Sequence, residues 1–338
     1  MKIAFINIYQ GLHDRGAETY VREVVKGLSV KHKIDIFSGT NMPGNRWPFL
    51  WRAYLDPHSM RILSFTIKLL PKLWKEKYDV IIPLNGGWQP ALIRLITWLY
   101  GGKMIISGQS GIGWDDRNNL WCFPDAFVAL SLTAKRWAQR SNPFVKTVYI
   151  PNGVDPDKFT PEGKAYKVSL KKPVILCNAA LTPAKRIDLV IKAVAKIDAS
   201  LLVVGDGELK TELNALGNKL MGKSFLIIKV PYAEVDTVYR SADLFTLASL
   251  SYFSFEIVLL EAMASGLGVV ANKDPIRSEI IADAGVLVNP EDTDNYAWEL
   301  SSALSRNWDS RPRKQALKFD WNKISDNYDK LFKTLVSK

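Results

Sequence analysis

The sequence predicts a doubly wound α/β chain built from two parallel-sheet halves, and three observations support this. Short apolar runs recur along its length, each with the near-continuous hydrophobicity of a strand buried on both faces. Segments with helical spacing of apolar residues separate them. The whole series then restarts near residue 173, after a polar stretch.

In the first half, residues 2–8 read as a buried strand, followed by a glycine-bearing loop over 10–16. Val21, Val24, Val25 and Leu28 then set out one helix face. Residues 33–37 form the next strand, and 78–84 another, leading through Gly86-Gly87 into an apolar helix ending at Tyr100. Residues 103–107 are a strand, 108–113 a glycine-rich loop, and 126–131 the last strand. In the second half, residues 173–177, 200–204, 226–230, 244–248, 268–271 and 286–288 read as strands, with a helix over 186–197 and others between. Residues 257–260 read as strand-like, ahead of a helix opened by Glu261 and closed at Ser265-Gly266. Residues 161–172 are polar and read as a linker. The tail, 321–335, is amphipathic, with Ile324, Tyr328, Leu331 and Leu335 on one side. Two such halves imply a site at the carboxyl ends of the strands, in a cleft between them.

A length of 338 residues suits two domains, and 47% hydrophobic residues supply a core for each. No apolar run is long enough to span a membrane, and the N-terminus does not read as a signal peptide. Two cysteines, Cys122 and Cys177, form no disulfide framework and fit a reducing cytoplasm. His13, His32 and His58 are scattered, so no metal site is expected. The net charge of +11 is uneven: residues 1–160 hold 21 Lys and Arg against 12 Asp and Glu. That basic half suits anionic lipid or phosphate, and the chain lacks any RNA-binding signature or basic recognition helix. Residues 47–77 interleave tryptophan, phenylalanine and leucine with lysine and arginine, the composition of an interfacial membrane element or of a core helix with a wet edge.

The richest stretch is Ser254-Phe255-Glu256-Ile257-Val258-Leu259-Leu260-Glu261-Ala262-Met263-Ala264-Ser265-Gly266. Around it stand Arg15-Gly16-Ala17-Glu18, Pro151-Asn152-Gly153-Val154-Asp155, Ala180 to Arg186, Gly205-Asp206-Gly207-Glu208 and Asp274 to Glu279, in that chain order. In this order they resemble the family 4 retaining glycosyltransferases of GT-B fold, and the likeness runs over nearly the whole chain. The resemblance implies an acceptor-side domain over 1–160, a nucleotide-sugar domain over 161–320, and a C-terminal helix, 321–338, crossing back to the first domain. It implies that Glu261 accepts hydrogen bonds from the nucleotide ribose, Lys185 holds the diphosphate, and Gly16 allows close backbone approach. Val230 borders the base, and Phe253, Ser254, Phe255, Glu256, Ile257 and Val258 line the donor.

Four positions depart from the family pattern. Phe253, eight before Glu261, replaces a sugar-contacting glutamate. Glu256 replaces a small glycine and would repel phosphate unless it turns away or pairs with Lys185. Ala180 replaces one of two diphosphate cations, a loss that should slow transfer. Gln109 takes the place of a histidine; its amide hydrogen-bonds a hydroxyl but cannot accept its proton. Gln109 and Glu256 are the catalytic candidates. His13, Trp88 and Trp114 are the acceptor candidates, the tryptophans by stacking on a sugar face or, equally, by packing. Asp115-Asp116 lacks a third metal ligand. The resemblance implies no metal and no cofactor beyond the nucleotide diphosphate sugar as co-substrate.

The function expected is transfer of a hexose to a glycan or lipid-linked acceptor with retention of configuration, in the cytoplasm or on the inner membrane face. The alternative is a weak or inactive homologue acting as a nucleotide- or partner-binding module.

Overall fold

The computed structural model describes residues 1–12, 15–40, 46–252 and 255–337. The chain forms two compact units, residues 1–152 with 321–338, and residues 153–320.

In the first unit the strands are β1 (Lys2–Ile6), β2 (Lys33–Phe37), β3 (Val80–Pro83), β4 (Lys103–Ser107), β5 (Ala126–Ala129) and β6 (Thr147–Tyr149). They form one parallel sheet in the order β2-β1-β3-β4-β5-β6. The helices between them are α1 (Gly16–Leu28), α2 (Pro57–Glu76), α3 (Trp88–Tyr100), α4 (Trp114–Trp121) and α5 (Leu132–Ser141). Right-handed crossovers place α2 to α5 on one face, because those connections all step the same way along the sheet. Leu73, Ile93, Ile96, Leu120 and Ala138 from these helices share a core with Ala4, Ile6, Met104 and Ile106. The step from β1 to β2 runs the other way, so α1 lies on the opposite face, with Tyr20 against Phe5.

The C-terminal helix, Trp321–Val336, completes that opposite face. Ile324, Tyr328, Leu331 and Leu335 are buried. Tyr20 meets Trp321 and Tyr328 at ring-centroid distances of 6.5 and 5.7 Å. His32 Nε2 lies 2.9 Å from the Asp329 carboxylate, tying the middle of the helix to the segment after α1.

The second unit repeats the plan with β7 (Val174–Asn178), β8 (Ser200–Val204), β9 (Phe225–Ile228), β10 (Leu244–Leu247), β11 (Val269–Asn272) and β12 (Gly285–Val288). Its parallel order is β12-β11-β10-β7-β8-β9. The helices are α6 (Ile187–Val194), α7 (Lys210–Met221), α8 (Val235–Tyr239), α9 (Ile257–Ala264), α10 (Pro275–Ile281), α11 (Thr293–Ser305) and α12 (Arg311–Ala316).

Four expectations are corrected here. Residues 126–131 are not the last strand of the first unit, because the three-residue strand Thr147–Tyr149 pairs beyond them. Residues 257–260 are the first turn of α9, not strand-like, and Glu261 lies inside that helix. Seven of its eight residues are buried, and periodicity cannot separate an all-apolar buried helix from a strand. Residues 161–172 do not read as a free linker in the structure. Arg240 donates to the carbonyls of Thr160 and Lys164, and Tyr166 N–H donates to Thr237. The second unit also begins at Gly153 rather than 161. Val154 N–H donates to Phe319, and Arg313 donates to the carbonyls of Pro156 and Phe159.

At Gly27 of α1 an added Cβ would lie 2.4 Å from Ser325 Oγ and 2.6 Å from Ser325 Cβ. Gly27→Ala is therefore expected to push the C-terminal helix away and cost about 1–3 kcal/mol. Chemical denaturation would read the loss, and Ser325→Gly in the same chain should return most of it.

Candidate active site

In an open parallel sheet, the crevice lies where strand order reverses, because the two connections leave in opposite directions. In the second unit the reversal falls between β7 and β10. After β7, residues 179–186 leave the sheet edge and end in Lys185. After β10 the chain runs towards α9. The two loops are joined by a hydrogen bond from Leu250 N–H to the Ala184 carbonyl.

At this point stands an ion cluster. Lys185 Nζ donates to both carboxylate oxygens of Glu256, at 2.6 and 2.7 Å. Arg277 Nη2, fully buried on α10, donates to Glu256 Oε1 at 3.1 Å. Arg277 Nη1 lies 3.0 Å from Asp274, whose other oxygen caps α10 through the amides of Ile276 and Arg277. Burial alone would push the Glu256 pKa up, but Lys185 and Arg277 outweigh it and hold the carboxyl down at about 2. Glu256 is thus ionised at neutral pH, an acceptor with no proton to give. The sequence left two outcomes for it, and the structure shows the pair with Lys185.

One helical turn on, Glu261 accepts a 2.7 Å hydrogen bond from the Tyr239 hydroxyl, which itself accepts one from Asn178 at the end of β7. Burial and the neighbouring carboxylate push the Tyr239 pKa well up, so the phenol stays a donor. The 205–207 turn packs against the loop bearing Ala180. A Cβ at Gly205 would meet the Ala179 carbonyl at 2.0 Å, and one at Gly207 the Leu181 carbonyl at 2.5 Å, so only glycine fits both. Val230 lies half-buried beyond β9.

In the first unit the order reverses between β1 and β3. Their carboxyl ends carry Asn7 and Asn85, which are locked together. Asn85 Oδ1 accepts from Ile8 N–H at 2.9 Å, and Asn7 Nδ2 donates to the buried Glu18 at 3.0 Å. Above them opens a cavity of about 120 Å³ lined by Tyr9, Arg46, Tyr54, His58, Asn85 and Asp115, among others. Tyr54 donates to Asp115 at 3.0 Å, and the Tyr9 hydroxyl lies 3.0 Å from His58 Nε2.

The tryptophans beside this cavity have defined jobs. Trp88 Nε1 donates to the Tyr54 carbonyl and Trp114 Nε1 to the Arg52 carbonyl, so both hold the turn over Leu50–Ala53 against the unit. Each ring stays exposed by more than two fifths. Asp115 and Asp116 diverge: the first faces the cavity, and the second is buried beneath the glycine loop, near Gly108. Burial pushes the Asp116 pKa up to about 8. Gln109, on the same loop, makes a reciprocal amide pair with Asn152, at 3.0 and 3.1 Å, and also donates to Ser107.

Of the expected site residues, the structure groups Lys185 and Glu256, with Phe255, Ile257, Val258 and Glu261 on the same segment. Gly16 starts α1 at the exposed mouth of the first unit. His13, Phe253 and Ser254 lie outside the described residues. Sequence reasoning missed Arg277, Tyr239 and the cavity residues His58, Asp115, Tyr9 and Tyr54. Only Asp274-Pro275, a cap followed by proline at the first helical position, announced anything nearby, and it announced a helix start. Among the described residues no three His, Cys, Asp or Glu side chains gather as metal ligands.

Residues 160–319 match the family model described as "Glycosyl transferases group 1". The match covers just under half of the chain, the whole second unit but for its edges, and the fold is GT-B. A GDP-mannose-dependent monoacylated alpha-(1-6)-phosphatidylinositol monomannoside mannosyltransferase of Corynebacterium glutamicum is 30% identical over 169 residues, covering 44% of each chain. A phosphatidyl-myo-inositol mannosyltransferase of Mycolicibacterium smegmatis is 30% identical over 222 residues, covering 62% of this chain and 57% of that one. The matches thus span about half the length of these two relatives. The crystal structure of Anabaena HepE in complex with UDP-glucose aligns over 99% of this chain and 100% of that chain, with a TM-score of 0.77 at 16% identity.

Two titrations follow from the geometry. Glu256 has a folded pKa below its ordinary 4.5, so its stabilising contribution is complete above 4.5 and is lost as pH falls towards about 2. Glu256→Gln should flatten acid unfolding of the second unit in that window, followed by circular dichroism. Asp116 has a folded pKa raised from 3.8 to about 8, so its contribution is complete below 3.8 and is lost as pH rises through 8. Asp116→Asn should abolish this decline between pH 3.8 and about 8, and a decline of unchanged size in the variant would reject the assignment.

Proposed function

We propose that this chain transfers a hexose from a nucleotide diphosphate sugar to a lipid-linked or glycan acceptor, with retention of anomeric configuration. The observation that carries the reading is the buried ammonium of Lys185 at the amino end of α9, with Glu261 one turn along the same helix. A cation and a helix terminus together suit a diphosphate. A carboxylate at Glu261 suits the paired hydroxyls of a ribose, and the loop at Val230 borders the base. Phe255, Ile257 and Val258 line the hexose and phosphates, and Gly16 offers close backbone approach. The match to the glycosyl transferases group 1 model and the mannosyltransferase names of the relatives support the donor class.

The cavity at the β1/β3 reversal is the proposed acceptor site. Asp115 accepts hydrogen bonds from a polyol, while His58, Tyr9 and Asn85 can both donate and accept. Trp88 and Trp114 shape its rim, with His13 nearby in sequence to Gly11 and Gly16. Gln109 supports the glycine loop through Asn152. The transfer is proposed to need no metal, and a chelator should leave its rate unchanged.

The acceptor is proposed to be presented at an anionic bilayer. Met60, Ile67 and Trp74 stand exposed along α2 beside Arg61, Lys68 and Lys75, and Leu95, Trp98 and Leu99 are exposed on neighbouring α3. Apolar rings with cations between them suit a headgroup region. Among the described residues no helix is long and apolar enough to cross a membrane.

A panel of UDP-, GDP- and ADP-sugars with lipid-extract acceptors tests the reading, with NMR of the product giving the anomer. Transfer with one donor is expected. Nucleotide binding without any transfer would instead identify a binding module, and no nucleotide binding at all would end the proposal. Asp115→Asn should raise the acceptor KM at least about tenfold while leaving nucleotide affinity alone. Vesicles containing anionic phospholipid should sediment the protein, and Trp74→Ser with Trp98→Ser should reduce that binding severalfold.

A further inference from the structure

We propose that Glu256 is a built-in anion that occupies the Lys185 ammonium in the donor-free protein, so that a nucleoside diphosphate binds by exchanging with its carboxylate. This rests on the donor-site reading above. Glu256 stands immediately before α9, with φ 62° and ψ 71°, a left-handed backbone region that residues bearing a Cβ seldom enter. Its carboxylate makes no hydrogen bond to the first-turn amides of the helix it precedes. It turns instead to Lys185 and Arg277.

The two cations hold it differently. Oε2 takes Lys185 at 2.7 Å, whereas Oε1 is shared between Lys185 at 2.6 Å and Arg277 at 3.1 Å. Lysine carries its charge on a flexible four-carbon stem, and Arg277 is fixed by complete burial and by Asp274. Lys185 can therefore swing to an incoming phosphate while Glu256 keeps Arg277. No buried charge is stranded in the exchange, which would otherwise be its main cost. Arg277 is thus what makes Glu256 tolerable in the occupied state. The device also discriminates by charge, because a ligand without phosphate gains nothing from Lys185 and leaves the pair intact.

Calorimetric titration of the full chain with UDP and GDP, and with uridine and guanosine as phosphate-free controls, tests this. Glu256→Gln should bind the preferred diphosphate at least about tenfold tighter than the natural chain, since it removes a competing anion. Affinity for the matching nucleoside should not change. In a Lys185→Gln background the same substitution should give no gain. Equal or weaker diphosphate binding by Glu256→Gln, or a gain that survives without Lys185, would overturn the exchange. The donor-site reading fails separately, when neither the natural chain nor the variant binds any diphosphate. Should Glu256→Gln not fold, Glu256→Gly, which also frees the strained backbone, makes the same comparison.

Discussion

A parallel sheet whose strand order reverses leaves two neighbouring strand ends uncovered, and the polar backbone there has to find partners. The connections on either side depart in opposite directions, so no helix lies over the gap. Both units of this chain are organised around that constraint. In the first, Asn7 and Asn85 bond each other and the adjacent backbone, and the buried Glu18 completes the set. In the second, Asn178 reaches Tyr239 and through it Glu261, while Lys185 and Glu256 close the other side. The crevices are polar because the fold makes them so, and ligand chemistry is built on groups already needed there.

The two units satisfy the constraint with different materials. Neutral amides serve the first, so its cavity keeps a mixed lining of Tyr9, His58 and Asp115 suited to hydroxyl groups. Full charges serve the second. A buried ion pair contributes little net stability once desolvation is counted, yet removing one member leaves an uncompensated charge. Glu256, Lys185, Arg277 and Asp274 therefore have to be considered together. Ala180 lies in the same loop as Lys185, Glu256 sets an anion beside that lysine, and the buried Arg277 shares the same carboxylate oxygen.

Much of the site was legible in the sequence as positions, and little of it as interactions. Lys185, Glu256 and Glu261 were found because their surrounding strings are distinctive. Arg277 stood inside the quoted string Asp274 to Glu279 without a role of its own, and only packing shows it buried against Glu256. Gln109 read as a group aimed at substrate, whereas its amide is engaged by Asn152, far along the chain. Trp88 and Trp114 read as stacking platforms, and their indole N–H groups prove to hold a neighbouring turn. In each case the missing fact was a partner distant in sequence.

The sequence by itself determined the class of fold, the two-part organisation and most of the strands, though not the short strand Thr147–Tyr149. Alternation of buried apolar runs with amphipathic segments is a local property, and local periodicity survives without knowledge of contacts. It also marked the Gly205-Asp206-Gly207 string, but the steric reason for it, the carbonyls of Ala179 and Leu181, is a tertiary contact. Only the tertiary structure decided that 257–260 is helical, that 161–172 is docked on the second unit, and that the Glu256 carboxylate faces cations rather than helix amides. Those outcomes depend on burial and on charges brought together from residues up to 92 apart, such as Lys185 and Arg277. Pairings over that distance are set by how the layers pack, which no window of sequence contains.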